Sequence, residues 1–212
     1  MSTAYGQILT FSPLNLLSCS KVREKETSVQ LLPGNADPVL DTNENIIQAG
    51  TDYYILPVLR GKGGGVTLAG VRNETCPLYV VQEQLEASIG LPLTFTPVNP
   101  REGVVHDSTD LNIKFSAATI CVQSTVWKLE DYDEATGQRF VGSGGVEGNP
   151  GRETISNWFK IEKYDDDYKL VFCPSVCDEC RVICGDVGIY IEDEIRRLAL
   201  SDEPFKVMFK KA

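Results

Sequence analysis

Apolar residues recur along this chain in short runs, many of them alternating with polar residues. Gly, Pro, Asn and Asp interrupt every run. From residue 37 onward the texture is uniform, and the runs fall at 53–59, 65–68, 78–82, 93–96, 111–115, 125–129, 139–141, 158–162, 168–172, 187–191, 197–200 and 205–209. They are rich in Val, Ile, Tyr, Phe and Thr, the residues that suit a pleated, half-buried surface. No window of ten or more residues carries the i, i+3, i+4 spacing of an amphipathic helix. The pattern therefore predicts an all-β protein of twelve strands. Regular short strands suit a barrel or a sandwich. Twelve strands divide into three groups of four, and two groups carry a similar aromatic–lysine signal, Trp127-Lys128-Leu129 and Trp158-Phe159-Lys160-Ile161. Three four-stranded units closing one barrel is the β-trefoil plan.

Composition narrows the function. The chain has 212 residues, of which 42% are hydrophobic, enough to bury a sizeable core and too apolar for a disordered chain. No run reaches the ~18 consecutive apolar residues of a membrane-spanning helix, so no membrane partner is expected. Thirty acidic residues against twenty basic ones give a net charge of −10, which repels phosphate backbones and argues against nucleic acid. The single histidine, His106, rules out a two-histidine metal site and weakens any Ser-His-Asp proposal. No nucleophile–base pair can be assembled, so catalysis is not expected. The acidic runs 130–134 and 165–167 lack the Gly and terminal Glu of an EF-hand loop and read as solvated turns. Neither a cofactor nor a metal is called for.

The seven cysteines change the picture more. Four of them, Cys173, Cys177, Cys180 and Cys184, lie within twelve residues and contain only one Cys-x2-Cys spacing. A structural zinc site usually takes two well-separated knuckles, and a redox Cys-x-x-Cys normally opens a helix in a βαβ setting. Nested disulfides in a secreted protein suit the run better. Asn73-Glu74-Thr75 is an acceptor triplet for N-glycosylation, which has meaning only on the secretory route. Residues 1–36 read as an atypical leader or N-terminal extension. The apolar stretch 8–17 is broken by Pro13 and Asn15, no Lys or Arg precedes it, and Cys19, within residues 1–36, has no expected partner. The folded domain is expected over 37–212.

Specific blocks then appear in order. The stretch Val39-Leu40-Asp41-Thr42-Asn43-Glu44-Asn45-Ile46-Ile47, followed by Tyr53-Tyr54-Ile55, resembles the signature of the soybean-type Kunitz protease inhibitor family, with Glu44 where that family usually has a turn-forming Gly or Asp. The resemblance continues through Cys76-Pro77-Leu78, Asp110 to Phe115, Gly144 to Gly151, Trp158 to Glu162, Tyr168 to Pro174 and Arg196 to Leu200, covering essentially all of 37–212. The Gly-Asn-Pro-Gly segment and the four-cysteine run look most like the miraculin-like branch of this plant family. The resemblance implies a β-trefoil, delivered outside the cell or to the vacuole. It implies the disulfides Cys76–Cys121, Cys173–Cys184 and Cys177–Cys180. Some members of the branch carry a further cysteine that bridges two chains; residues 164–167 are Tyr-Asp-Asp-Asp here, so a monomer is expected.

The resemblance also implies an endopeptidase inhibitor, chiefly of serine proteases with cysteine proteases as the alternative target, that presents an exposed loop as a substrate mimic. Rigid presentation limits the entropy lost on binding. By position, that loop is Thr96, Pro97, Val98, Asn99, Pro100, Arg101 and Glu102, running to Gly103. The resemblance places the primary residue near Val98 or Asn99; Val98 would suit an elastase-like pocket, whereas Arg101 would suit an acidic, trypsin-like one only with the register shifted by a few residues. The Asn99–Pro100 bond fits poorly in such a cleft because Pro lacks an N–H. Family inhibitors brace the loop with an asparagine at the position of Ala49, so a looser loop is expected here, offset in part by Pro97 and Pro100. The rival readings are a non-inhibitory storage or stress protein and a carbohydrate-binding trefoil using Trp127 and Trp158, whose more ordinary role is core packing.

Overall fold

The structure, a computed structural model, describes residues 36–212. The leader expected over 1–36, apart from Ala36, and Cys19 with it, lie outside the described residues. Twelve strands follow in order: β1 (Tyr53–Pro57), β2 (Val66–Ala69), β3 (Tyr79–Gln82), β4 (Leu93–Pro97), β5 (Leu111–Phe115), β6 (Lys128–Asp133), β7 (Gln138–Gly142), β8 (Lys160–Tyr164), β9 (Asp167–Phe172), β10 (Gly185–Glu192), β11 (Ile195–Ser201) and β12 (Lys206–Lys211).

Alternating side chains set the arrangement. In β4, Leu93, Phe95 and Pro97 face inward while Thr94 and Thr96 are half-buried; in β12, Val207 and Phe209 face inward. Such a strand buries one face, so six of them close a ring around the core. β1 pairs antiparallel with β4 and with β12, β4 with β5, β8 with β9, and β9 with β12. The remaining junction, β5 to β8, closes through Leu111 and Phe159, each N–H donating to the other's carbonyl at 2.9 Å. Closure removes the unpaired edges that an open sheet would expose. The hairpins β2–β3, β6–β7 and β10–β11 meet one another through pairings among β3, β7 and β11. Each group of four strands thus gives two strands to the ring and one hairpin to the cap. This is a β-trefoil.

The ring is filled by aromatic and branched side chains. Phe95 stands edge-on to Phe209 at 5.5 Å between centroids, Trp127 edge-on to Phe159 at 5.8 Å, and Phe159 against Phe172 at 5.4 Å. Each such side chain contributes about 1.5–3 kcal/mol on burial. Trp127 and Trp158 are both buried, in the packing role expected of them. The cap buries a cation. The Arg197 guanidinium lies 3.3 Å from the Phe140 ring centroid and 4.3 Å from that of Tyr79. Its charge is met by Glu192, which also accepts from Arg72 at 2.9 Å, and Arg72 reaches Asp133 at 2.6 Å. A buried guanidinium requires such a partner, because its desolvation is otherwise uncompensated.

Two elements differ from the sequence pattern. The run 125–129 is shared between two partners. Val126 bridges Lys114 of β5 and Trp127 N–H donates to Ile113, whereas β6 itself starts at Lys128 and passes through a bulge between Leu129 and Tyr132. Between β7 and β8 a 3-10 helix spans Arg152–Asn157, too short to show a helical period. Thr154 within it accepts a hydrogen bond from Trp158 Nε1 at 3.2 Å.

Three disulfides pair Cys76 with Cys121, Cys173 with Cys184, and Cys177 with Cys180. The first spans 45 residues and ties the start of β3 to the loop after β5. Loop-closure entropy at that separation is about 4 kcal/mol, and the shorter pairs constrain less of the unfolded chain. The Cys76→Ser/Cys121→Ser double variant is therefore expected to lose about 4 kcal/mol of unfolding free energy in urea melts. A loss under ~1 kcal/mol would show that this crosslink does not restrict the unfolded chain.

Candidate protease-binding loop

The loop predicted at 96–103 leaves the ring at the β4–β5 junction. Pro97 sits opposite Leu111, and the ladder gains one more bond where Val98 N–H donates to the Asp110 carbonyl at 2.8 Å. Asn99 to Glu102 then form a tight turn, with Glu102 N–H donating to Asn99 C=O at 3.0 Å. The residues suit that turn. Pro100 at its second position presets φ, and Asn99 at its first accepts Arg101 N–H through Oδ1 at 3.3 Å. Asn99 Nδ2 also donates to Glu102 Oε1 at 2.9 Å, closing the turn through side chains as well. On the returning limb Ala49 N–H donates to Gly103 C=O at 3.0 Å, and Val104 bridges Gln48. Ala49 thus lies beside the loop and supplies a backbone bond only; the turn is braced from within by Asn99 and Glu102.

Behind the loop stand residues that sequence reasoning did not assign to it. Glu147 Oε1 accepts from the Thr96 hydroxyl at 2.6 Å, and its Oε2 lies 3.0 Å from Lys114 Nζ. The Thr96 hydroxyl first, and Lys114 second, hold the Glu147 carboxyl below the usual glutamate range against the opposing effect of burial. The segment carrying Glu147 is pinned by Gly148 N–H to Asn112 Oδ1 at 2.7 Å and by Asn157 Nδ2 to Val146 C=O at 3.2 Å. The Gly144–Gly151 block was visible in the sequence as a family feature, but nothing in it announced a contact with Thr96. Asp110 is the second support. Its buried carboxylate accepts from Ser175 N–H at 3.1 Å and from the Ser175 hydroxyl, with Lys160 Nζ at 3.9 Å.

The predicted residues are thus brought together as one protrusion. Pro97 is buried, Thr96, Val98 and Glu102 are half-buried, and Asn99, Pro100 and Arg101 are exposed at the tip. Val98 has already spent its N–H on Asp110, and the bond after Asn99 is an imide. Arg101 is an exposed cation in no ion pair among the described residues. His106 stands at the foot of the returning limb, its Nδ1 3.9 Å from Glu102 Oε2. Asn73 lies apart from this site in an exposed turn in which Arg72 and Asn73 take φ of 54° and 63° and Glu74 N–H donates to Val71 C=O at 3.0 Å. Among the described residues no group of three or more His, Cys, Asp or Glu side chains is placed to hold a metal ion, and no helix is long and apolar enough to cross a membrane.

Comparison with known proteins bears on the family and the fold. The model of a family described as trypsin and protease inhibitor, of the Kunitz legume type, matches residues 39–211. Kunitz trypsin inhibitor 5 of Arabidopsis thaliana is 52% identical over 176 residues, covering 83% of this chain and 86% of its own. Miraculin of Synsepalum dulcificum is 56% identical over 183 residues, covering 82% of this chain and 83% of its own. The solved structure of the Kunitz-type cysteine protease inhibitor PCPI-3 from potato superposes with a TM-score of 0.74 at 37% identity, covering 84% of this chain and 98% of its own. From the ring of six strands to the ordered sequence blocks, the chain belongs to the Kunitz family of plant protease inhibitors, which bind proteases and are not themselves enzymes.

Proposed function

We propose that this protein is a secreted, monomeric inhibitor of a trypsin-like serine endopeptidase, acting in plant defence through the tip of the 96–103 loop. The observation that carries the reading is the exposed, unpaired Arg101 on a turn closed by Asn99 and Glu102. An acidic primary pocket accepts a guanidinium, and a turn already closed loses little entropy on docking. Arg101 occupies the third position of that turn, so it inserts from a bend rather than from an extended strand. Inhibition is accordingly expected near micromolar concentration, roughly 8 kcal/mol of binding free energy. Three disulfides and the exposed Asn73 triplet support passage through the secretory route, with a glycan on Asn73. A cysteine endopeptidase is the second reading, favoured by the likeness to the potato cysteine protease inhibitor.

Titration against trypsin, chymotrypsin, elastase and papain tests the choice. Trypsin inhibition that falls about tenfold or more in Arg101→Ala is the expected result. Inhibition of papain alone would move the partner to the second reading, and inhibition of none of the four would remove the inhibitory role of this loop.

The support behind the loop makes a separate prediction. The folded Glu147 carboxyl titrates below the ordinary value of 4.5. Its stabilising contribution is therefore complete above that ordinary value and is lost as the pH falls through the lower folded one. Glu147→Gln keeps an acceptor for Thr96 but loses the charge that meets Lys114. The melting temperature of the wild type should fall more steeply with acidification than that of Glu147→Gln, so that the two converge at low pH. Parallel profiles across the acid range would contradict the assignment.

A further inference from the structure

The two shorter disulfides build a second exposed loop that the reading above does not use. β9 ends at Phe172, β10 begins at Gly185, and these two residues pair. Cys173 and Cys184 stand immediately inside them, so ladder and disulfide together close the base of the loop. Within it Cys177–Cys180 ties off a small ring, and Cys180 N–H donates to Cys177 C=O at 3.3 Å. Ser175 fixes the ascending limb to the buried Asp110. What is left is the stretch Cys180-Arg181-Val182-Ile183-Cys184, crosslinked at both ends.

This stretch has the attributes of a substrate held still. From Cys180 to Ile183 exposure alternates, with Cys180 and Val182 half-buried, Arg181 exposed and Ile183 46% exposed, the period of an extended strand; Cys184 is exposed as well. Among the described residues, the backbone N–H and C=O groups of Arg181, Val182 and Ile183 bond to no other backbone group and to no side chain. Val182 borders a groove of about 550 Å³ that Arg181 and Ile183 also line, together with Leu129, Ile155 and Phe172 of the body. Arg181 takes part in no ion pair among the described residues; its neighbour Glu179 lies 4.0 Å from Arg152 instead.

We propose that Arg181 is the primary residue of a second protease-binding loop, which presents the Arg181–Val182 bond to a trypsin-like serine endopeptidase. An extended segment with free backbone groups adds as a strand along the wall of such a cleft, and the guanidinium enters an acidic primary pocket. Unlike Asn99–Pro100, the Arg181–Val182 amide retains its N–H. Crosslinks at both ends remove the ordering cost in advance. They also govern the chemistry. When the protease serine attacks the Arg181 carbonyl carbon, an ester bond forms to the serine oxygen, the C–N bond breaks, and Val182 leaves as an amine carrying the proton the serine gave up. Arg181 stays tethered through Cys180 to Cys177, and Val182 through Cys184 to Cys173. The amine therefore remains beside the acyl carbon and can re-form the bond, expelling the serine, instead of surrendering the site to water.

The proposal does not rest on the 96–103 loop, and the experiment separates the two. Trypsin inhibition is measured for the oxidised full chain carrying Arg101→Ala, alone and combined with Arg181→Ala or Arg181→Lys. Residual inhibition is expected in Arg101→Ala, with a further loss of about 100-fold on adding Arg181→Ala and a change under about threefold on adding Arg181→Lys. Equal inhibition by Arg101→Ala and its Arg181→Ala combination, or none in Arg101→Ala itself, overturns the second loop. If Arg101→Ala inhibits as the wild type does, the reading of the first loop fails while this one stands. The exposed position of Arg181 keeps the variants folded, which a matching melting temperature verifies. Mass spectrometry of the trypsin mixture completes the test. A bond that stays intact, or is cut only to a steady fraction, supports inhibition; complete cutting at Arg181–Val182 with return of trypsin activity makes the segment a substrate and overturns the proposal.

Discussion

Both loops bond to one buried residue, Asp110, one through its carboxylate and the other through its backbone carbonyl. Asp110 precedes β5, its side chain is only 5% exposed, and it receives Ser175 from the disulfide loop, with Lys160 of β8 close by. Its own carbonyl accepts the N–H of Val98 at the root of the 96–103 loop. A buried carboxylate is tolerable only when its lone pairs are met, and removing a partner from such a group typically costs about 3–5 kcal/mol. The arrangement therefore couples three segments distant in sequence. If Ser175 withdraws, Asp110 is left short of donors, and the strand that launches Val98 loses its fixed neighbour. Two loops far apart in sequence are thereby held from one point in the core wall.

The six-strand ring makes that point available. Because β5 and β8 close through Leu111 and Phe159, the residue before Leu111 lands beside Lys160, one residue beyond Phe159. The cap solves a different problem. It meets at Arg197, whose charge is offset by Glu192 and whose planar group fills the space between Tyr79 and Phe140. A hydrophobic residue of similar volume could fill the same space without needing a partner. The observed cation ties the β10–β11 hairpin through Glu192 to Arg72 of the β2–β3 hairpin and on to Asp133 at the end of β6, and so relates all three hairpins by charge as well as by packing.

Much of this was legible in the sequence because strands announce themselves through a period of two and through the turn residues between them. Eleven of the twelve strands fall on the apolar runs, and Trp127 and Trp158 are core residues as their bulk suggests. β6 starts later than its apolar run because period alone does not say which partner a residue takes: Val126 and Trp127 pair with β5, and Leu129 of β6 pairs with β7. The loop at 96–103 could be located by resemblance, but not its supports. Thr96 and Glu147 are separated by 51 positions and Asp110 and Ser175 by 65, and no local pattern encodes contacts of that range. Ala49 illustrates the reverse error. A missing side-chain donor was legible, while the bonds that brace the turn from within, Asn99 to Glu102 and Arg101 to Asn99, require the fold of the turn itself.

The central claim is that a protease meets this trefoil at the tip of the 96–103 loop. The structure of the full chain bound to trypsin whose catalytic serine is replaced by alanine tests it most directly. The account predicts density for the Arg101 side chain in the acidic primary pocket, with the Asn99–Glu102 turn unchanged and Thr96 still bonded to Glu147. A complex in which Asn99, Pro100 and Arg101 remain in solvent while the protease occupies another face would contradict it.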